Sequence, residues 1–136
     1  MGIAFSDTLR TARANQIISA INNGAGPGTM QFYTAPQPAK GAAITTQTLL
    51  GTVVFSEPAG TVAAGVLTFN VISDDSSEDA DGPAVWCRVL DGDGAFVMDM
   101  PVTDTNGAGP VKMPSTQIYA GGTIHVASAV LTEGNA

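Results

Sequence analysis

Hydrophobic and polar positions follow two different periods along this chain. Near its start, apolar residues recur at the spacing of one helix face, at Phe5, Leu9, Ala12, Ile17, Ala20 and Ile21. Ser6 or Asp7 is placed to accept a backbone N–H at the N-terminus of such a helix, and Asn22-Asn23-Gly24 suits its C-terminus. The pattern predicts an α-helix over about residues 6–22, docked through one apolar stripe.

After residue 28 the period changes to two, which is typical of half-buried strands. Phe69 and Val71, for example, alternate with Thr68 and Asn70, so we expect Phe69 and Val71 to face the core. The segment 49–55 is apolar on both faces, which suits a central strand. Strands are predicted near residues 29–34, 48–56, 65–73, 84–90, 95–101, 111–119 and 122–132.

The clearest hairpin is predicted between residues 83 and 100, where Asp91-Gly92-Asp93-Gly94 supplies residues that tolerate the positive φ angles of tight turns. Before this turn, Val85, Cys87 and Val89 share one face of the strand. Trp86 and Arg88 share the other face. We expect the aliphatic face to lie in the core.

Strands without interleaved helices predict an all-β fold. We expect a single domain over residues 1–136, formed by an antiparallel β-sandwich of about seven or eight strands with one N-terminal α-helix. Both a jelly-roll and an immunoglobulin-like topology fit the pattern. A chain of 136 residues can bury a core without a disulfide, and its only cysteine, Cys87, is expected to be buried and reduced.

Charged residues make up only 12% of the chain, about half of the roughly 25% that is usual in soluble domains. A mostly neutral surface of small side chains suggests contacts with other subunits. The net charge of −7, with only 5 basic residues, argues against direct binding of nucleic acid, which requires a positive stripe. We expect no secretion signal, because the start lacks a basic and then apolar region, and no membrane span, because no apolar run is long enough.

The densest charge is an acidic run whose carboxylates are weak candidates for binding a metal such as Ca²⁺, namely Asp74, Asp75, Glu78, Asp79 and Asp81. The run lacks the spacing of a calcium-binding loop, and we interpret it as a solvated connection without metal. His125 is the only histidine, and no nucleophile or oxyanion signature lies near it. No cofactor motif is present, so we expect neither a cofactor nor enzymatic activity.

Three aromatic residues, Tyr33, Trp86 and Tyr119, offer an alternative function as a platform on which sugar rings stack. That interpretation would make the chain a carbohydrate-binding β-sandwich module. Aromatic residues of a small domain are also typical anchors of cores and interfaces, which is the interpretation we favour.

Several stretches together resemble small virion structural proteins encoded by tailed bacteriophages and prophages. They are the opening Gly-Ile-Ala-Phe-Ser-Asp-Thr-Leu-Arg, the central Ala-Val-Trp-Cys-Arg-Val-Leu-Asp-Gly-Asp-Gly, the following Val-Met-Asp and the ending Val-Leu-Thr-Glu-Gly-Asn-Ala. The resemblance implies a head decoration, or cement, protein that is made in the host bacterial cytoplasm and binds the outer capsid surface of the virion. A tail or tail-tip component is the alternative within the same resemblance.

The resemblance also implies partners and contact residues. The partners would be the major capsid protein and copies of the chain itself, in a homo-oligomer that stabilises capsomer contacts. The N-terminal helix and the irregular stretch 34–48 are the segments suited to reach a neighbour. The interface candidates are Phe5, Leu9, Arg10, Arg13, Tyr33, Pro36, Pro38, Trp86 and Tyr119.

Overall fold

The computed structural model describes residues 3–75 and 80–133. Within them the chain is mainly β-structure with one helix near its start, as the sequence predicts. The elements are α1 (Asp7–Ile21), β1 (Thr29–Tyr33), β2 (Leu49–Val54), β3 (Gly60–Ala63), β4 (Val66–Phe69), β5 (Gly82–Pro83), β6 (Trp86–Leu90), β7 (Phe96–Asp104), β8 (Val111–Met113), β9 (Gln117–Ile118) and β10 (Ser128–Thr132).

Eight of these strands form one large curled sheet in the order β2-β1-β6-β7-β8-β10-β4-β3, while β5 and β9 pair separately. The sheet is mixed, because β7 and β8 run parallel while the other neighbours are antiparallel. The expectation of purely antiparallel pairing is therefore wrong at this position. The connection 105–110 folds back along the end of β7, where the Gly109 N–H donates to Thr103 Oγ1 at 3.2 Å. As a result, Val111 starts β8 beside Val102.

The segment predicted as a central strand lies instead at one end of the sheet, as β2. Its outer edge is covered by residues 73–75. The Ser73 N–H donates to the Val54 carbonyl oxygen at 3.0 Å, and the Thr52 N–H donates to Asp75 Oδ2 at 3.2 Å. Asp75 pairs in turn with Ile124, through backbone hydrogen bonds of 2.7 and 3.2 Å. Leu50 and Val53 of β2 are thus buried without a full strand on both sides, whereas Val54 is 37% exposed.

The strand predicted near 65–73 is shorter than expected, and a preceding strand was missed. Ala64 and Gly65 both have positive φ angles, 50° and 77°, and form the tight turn that joins β3 to β4. Beyond Thr68 the chain no longer pairs with β10. Val71 is 84% exposed, so the prediction that it faces the core is wrong. Phe69 is buried as expected.

Two other strand predictions are too long. The stretch 111–119 is divided at Pro114 into β8 and β9, because proline has no N–H to donate to a neighbouring strand. The stretch 122–132 contains only β10, because Ile124 pairs with Asp75 before the chain joins β8 and β4.

Helix α1 is capped by Ser6, whose Oγ accepts the Leu9 N–H at 3.1 Å. It packs against β3, β4 and β7 through Ala14, Ile18 and Ile21. Leu9 is 45% exposed, so the predicted stripe is rotated from the real one. No helix in the part of the chain that the structure describes is long and apolar enough to cross a membrane.

The core is one cluster of apolar side chains drawn from the helix and from both ends of the sheet. On β6, Cys87 and Val89 lie in it as predicted, whereas Val85 precedes the strand and is 38% exposed. The largest fully buried side chains are Trp86, Phe32, Ile21, Met30, Leu50, Leu67, Met100, Met113, Ile124, Val53, Val89 and Val111.

Candidate interaction surface

The outer face of β1 and β6 is covered by the chain's own residues 34–48, which we call the covering segment. The Arg88 Nη2 group donates to the Ala42 carbonyl oxygen at 2.9 Å, and Trp86 Nε1 donates to the Thr34 carbonyl oxygen at 2.8 Å. Trp86 has no exposed surface and Arg88 is only 8% exposed. The second face of β6, which carries Trp86 and Arg88, is therefore also buried.

Beneath the covering segment, Arg88 is held by an ion pair and by aromatic rings. Its Nε and Nη2 groups donate to the two carboxylate oxygens of Asp99 at 2.9 and 3.1 Å. Its guanidinium lies 5.3 Å from the Trp86 ring centre and 5.1 Å from that of Phe96. The hydrogen bond with Asp99 raises the pKa of Arg88, and burial raises the pKa of the Tyr33 phenol. Arg88, Asp99 and the neighbouring rings thus contact one another within the chain, and these contacts stabilise this half of the sheet.

The other half of the sheet presents an open outer face, which we call the β3–β4–β10 face. Thr61 on β3, Thr68 on β4 and Val130 on β10 are direct cross-strand partners. A second row follows, two residues further along each strand. The face comprises Thr61, Ala63, Val66, Thr68, Ser128, Val130 and Thr132, all exposed except for the partly buried Val66.

This face carries no charge, although the chain as a whole has a net charge of −7. Its side chains carry hydroxyl groups or small aliphatic groups. They lie on one face of the sheet because cross-strand partners point to the same side. Lys112 borders the face on β8, where its Nζ donates to the Gly107 carbonyl oxygen at 2.7 Å. On the reverse side of the same strands, Leu67, Phe69 and Ala129 are buried in the core.

Helix α1 fixes the end of this face. The Gly65 N–H in the β3–β4 turn donates to Thr11 Oγ1 at 3.0 Å. At the end of β10, Arg10 Nε donates to the Glu133 carbonyl oxygen at 2.8 Å, and Arg13 pairs with the Glu133 carboxylate at 2.8 Å. Arg10, and not Leu9, packs against the end of β10, because its guanidinium donates to the Glu133 carbonyl oxygen there. The face therefore lies on strands that are anchored at both the turn and the chain's last described residue.

The structure does not bring the predicted interface residues together on one exposed surface. Arg10 and Arg13 bind within the chain, and the Phe5 ring lies 5.0 Å from the Arg13 guanidinium. Leu9 is exposed on α1, Pro36 and Pro38 belong to the covering segment, and Tyr119 is 65% exposed next to β9.

The remaining two predicted aromatic contacts, Tyr33 and Trp86, stack on each other with ring centres 4.7 Å apart. Tyr33 is only 6% exposed and Trp86 is fully buried. Trp86 therefore presents no ring face on which a sugar could stack.

The acidic run is only partly described, since Glu78 and Asp79 lie outside the described residues. Asp74 Oδ1 lies 2.7 Å from Nδ1 of His125, and both side chains are about half exposed. Asp81 accepts the Ala120 N–H. Among residues 3–75 and 80–133, no group of three or more His, Cys, Asp or Glu side chains is arranged to hold a metal ion.

The Asp91 carboxylate stabilises the predicted turn between β6 and β7. Its Oδ1 accepts the N–H groups of Asp93 and Ala95, both at 2.9 Å, and its Oδ2 accepts from Asn23 Nδ2 at 3.1 Å. These hydrogen bonds, that from Ala95 above all, hold the pKa of Asp91 below its ordinary value. The interpretation of this segment as a hairpin turn is confirmed.

A cavity of about 290 Å³ lies where β4 and β10 separate, lined by residues 69–72 and 125–129. It arises because the segment after β4 and the segment before β10 hydrogen-bond to chain segments on their other sides instead of to each other. The Asn70 N–H donates to the Ala59 carbonyl oxygen at 2.9 Å, and the Ala127 N–H donates to the Lys112 carbonyl oxygen at 2.8 Å. The cavity therefore forms where the hydrogen bonding between these two segments ends.

The β3–β4–β10 face was not predicted because it carries none of the aromatic or charged residues that the sequence offers as contact anchors. The available signal was that the outward positions of these strands are Thr, Ser, Ala and Val without a carboxylate.

No family model, no curated protein and no solved structure matches this chain.

Proposed function

We propose that this protein is a bacteriophage virion structural protein, a head decoration protein that binds the outer capsid surface and stabilises capsomer contacts. The observation that carries the proposal is the uncharged β3–β4–β10 face on an otherwise acidic protein. Burying a charged surface costs free energy unless each charge finds a partner, whereas a face of hydroxyl and methyl groups avoids that cost. Such a face is suited to contact with neighbouring virion subunits.

The rest of the molecule supports a structural role. The most buried ion pair, between Arg88 and Asp99, fastens the sheet to its covering segment. The resemblance to phage virion proteins gives the same class. The partners in this proposal are the major capsid protein and copies of the chain itself. A protein that binds the assembled shell, and not separate subunits, stabilises assembly by mass action, and many weak contacts add up through symmetry.

We also propose that the curled sheet forms the two layers of a β-sandwich of jelly-roll or immunoglobulin-like type. The layers would be β2-β1-β6-β7 and β8-β10-β4-β3. Support comes from Phe55, just after β2, which stacks on Phe69 of β4 with ring centres 5.2 Å apart. An experimentally determined structure tests this assignment through the distance between the layers, which is about 10 Å in β-sandwiches.

The function is tested by locating the chain in particles with cryo-electron microscopy and by counting its copies. Density over the outer head surface, at hundreds of copies per particle, is expected. Three or six copies in the tail would replace decoration with the tail or tail-tip role. Absence from particles would overturn both.

A matched pair of variants tests the face itself. Thr68→Glu adds a carboxylate to its central strand, whereas Thr46→Glu adds the same charge to the exposed covering segment. We expect only Thr68→Glu to lose retention on heads and to lower the temperature at which heads break. Equal retention of both variants would show that another surface makes the contact.

A further inference from the structure

We propose that the β3–β4–β10 face binds the same face of a second copy of this chain, so that neighbouring copies pair across the capsid surface. This inference rests on the proposed function, because it identifies which virion subunit the face contacts. Its basis is the distribution of charge and of hydrogen-bonding groups over the molecule.

Charge determines which surfaces of two copies can approach each other. Each copy carries 12 acidic and 5 basic residues, so two copies repel each other wherever their carboxylate-bearing surfaces meet. Like charges placed opposite each other across an interface cost several kcal/mol, roughly, when they are desolvated. The seven residues of the β3–β4–β10 face contribute no carboxylate. Two copies can therefore bury this face against itself without burying an acidic group from it.

The chemistry of the face is self-complementary. Thr61, Thr68, Ser128 and Thr132 each carry a hydroxyl that both donates and accepts a hydrogen bond. A two-fold axis places each residue of one copy opposite an equivalent surface of the other, so both partners must offer the same groups. Hydroxyl groups satisfy this requirement, whereas a cluster of one charge does not. The methyl groups of Ala63, Val66 and Val130 fill the space between the rows.

The size of the face indicates weak pairing. Three strands about 4.8 Å apart, each with about four to five residues rising 3.4 Å, give a projected area of roughly 200–300 Å². Stable interfaces bury about 800 Å² per partner. We therefore expect a dissociation constant of about 0.1–1 mM in solution. On a shell, where copies are held close together, the effective concentration reaches the millimolar range and the pairs form.

Sedimentation of the purified full chain between about 10 μM and 2 mM tests the pairing. The fraction of dimer is expected to rise across this range, as a dissociation constant of about 0.1–1 mM requires. Raising NaCl from about 20 to 300 mM shortens the screening length from roughly 20 to 6 Å. Because the net charges of the copies repel, we expect salt to lower the dissociation constant about threefold or more. Thr68→Glu is expected to raise it at least about tenfold and Thr46→Glu less than about twofold.

Cross-linking gives an independent test, because the native Cys87 is fully buried and its thiol pKa is raised by burial. Thr68→Cys on the central strand is expected to form a disulfide-linked dimer under mild oxidation, and Ala43→Cys on the covering segment is not.

The outcomes separate this inference from the proposed function. A monomer at every concentration and salt, with no preferential cross-linking of Thr68→Cys, would overturn the pairing. If Thr68→Glu then still lost retention on heads, decoration would stand with a capsid protein as the partner. A dimer formed equally by Thr68→Glu and Thr46→Glu would place the pairing on another surface. Absence of the chain from particles would overturn the function, whatever the sedimentation result.

Discussion

Arg88 and Asp99, directly paired across β6 and β7, form a two-point ion pair whose side chains are only 10% and 5% exposed. A further hydrogen bond of the guanidinium, from Nη2 to the Ala42 carbonyl oxygen, joins the pair to the covering segment. One arginine thus links two strands to the chain that lies over them.

Removing one member of this pair is expected to be costly. Asp99→Ala leaves the Arg88 charge buried without its partner, which typically costs about 3–5 kcal/mol of unfolding free energy. The double variant Arg88→Met with Asp99→Leu removes both charges and is expected to be more stable than Asp99→Ala. Urea unfolding of Arg88→Met, of Asp99→Leu and of the double variant gives the coupling energy. Additive effects of the single changes would contradict a direct interaction.

The Asp91 carboxylate predicts a specific dependence of stability on pH. Its pKa in the folded protein is lowered, mainly by the hydrogen bond from the Ala95 N–H. Its contribution is therefore present above the ordinary carboxyl pKa of about 3.9 and is lost as the pH falls through the lower value of the folded state. Urea midpoints of the wild type and Asp91→Asn should differ near neutral pH and converge in acid. A constant difference down to pH of about 2 would show that the ionised carboxylate is not responsible.

A close backbone approach makes Gly92 sensitive to substitution. A Cβ atom at Gly92 would lie 2.1 Å from the Gly26 carbonyl oxygen, so the two loops would have to separate. We expect Gly92→Ala to lower the unfolding free energy by about 1–3 kcal/mol, the usual cost of overpacking. Gly26→Ala, whose Cβ meets nothing within 4 Å, is the matched control and is expected to change stability by less than about 0.5 kcal/mol. Thermal unfolding of both variants compares them, and equal losses would argue against the contact.

Phe69 and Val71 are separated by one residue but should respond in opposite ways to aspartate. Phe69 is 8% exposed and stacks on Phe55, so Phe69→Asp places an unpaired carboxylate in the core and is expected to unfold the protein. Val71 is 84% exposed, and Val71→Asp is expected to change stability by less than about 0.5 kcal/mol. Circular dichroism during heating distinguishes them. Unfolding of both variants would restore the inward position predicted for Val71.

These two residues also show how far sequence patterns predict this fold. Alternation identified Phe69 as a core residue because β4 pairs regularly with β3 there, with Phe69 opposite Gly60. It failed at Val71, since the pattern does not reveal where a strand leaves its partner. The turn at Ala64 and Gly65 was missed because Ala is not a usual residue for a positive φ. The hairpin at Asp91 was predicted because its turn chemistry is local.

The contact surface was less predictable than the fold. Arg10, Arg13 and Trp86 are residue types that often dominate interfaces. Each of them also hydrogen-bonds or pairs with a group inside the chain that is distant in sequence, Glu133 or Thr34. Only the three-dimensional pairing of β3, β4 and β10 shows that Thr61, Thr68 and Val130 form one row.

The covering segment makes the two halves of the sheet different, because it lies over only one of them. The outer face of one half of the sheet is closed by residues 34–48, whereas that of β3, β4 and β10 is exposed. A peptide fused within the exposed stretch at Ala42 and Ala43 would leave the bare strands untouched. Every copy bound through those strands, to a second copy or to another subunit, would carry its passenger on a surface outside the contact, which is a property that a display scaffold requires.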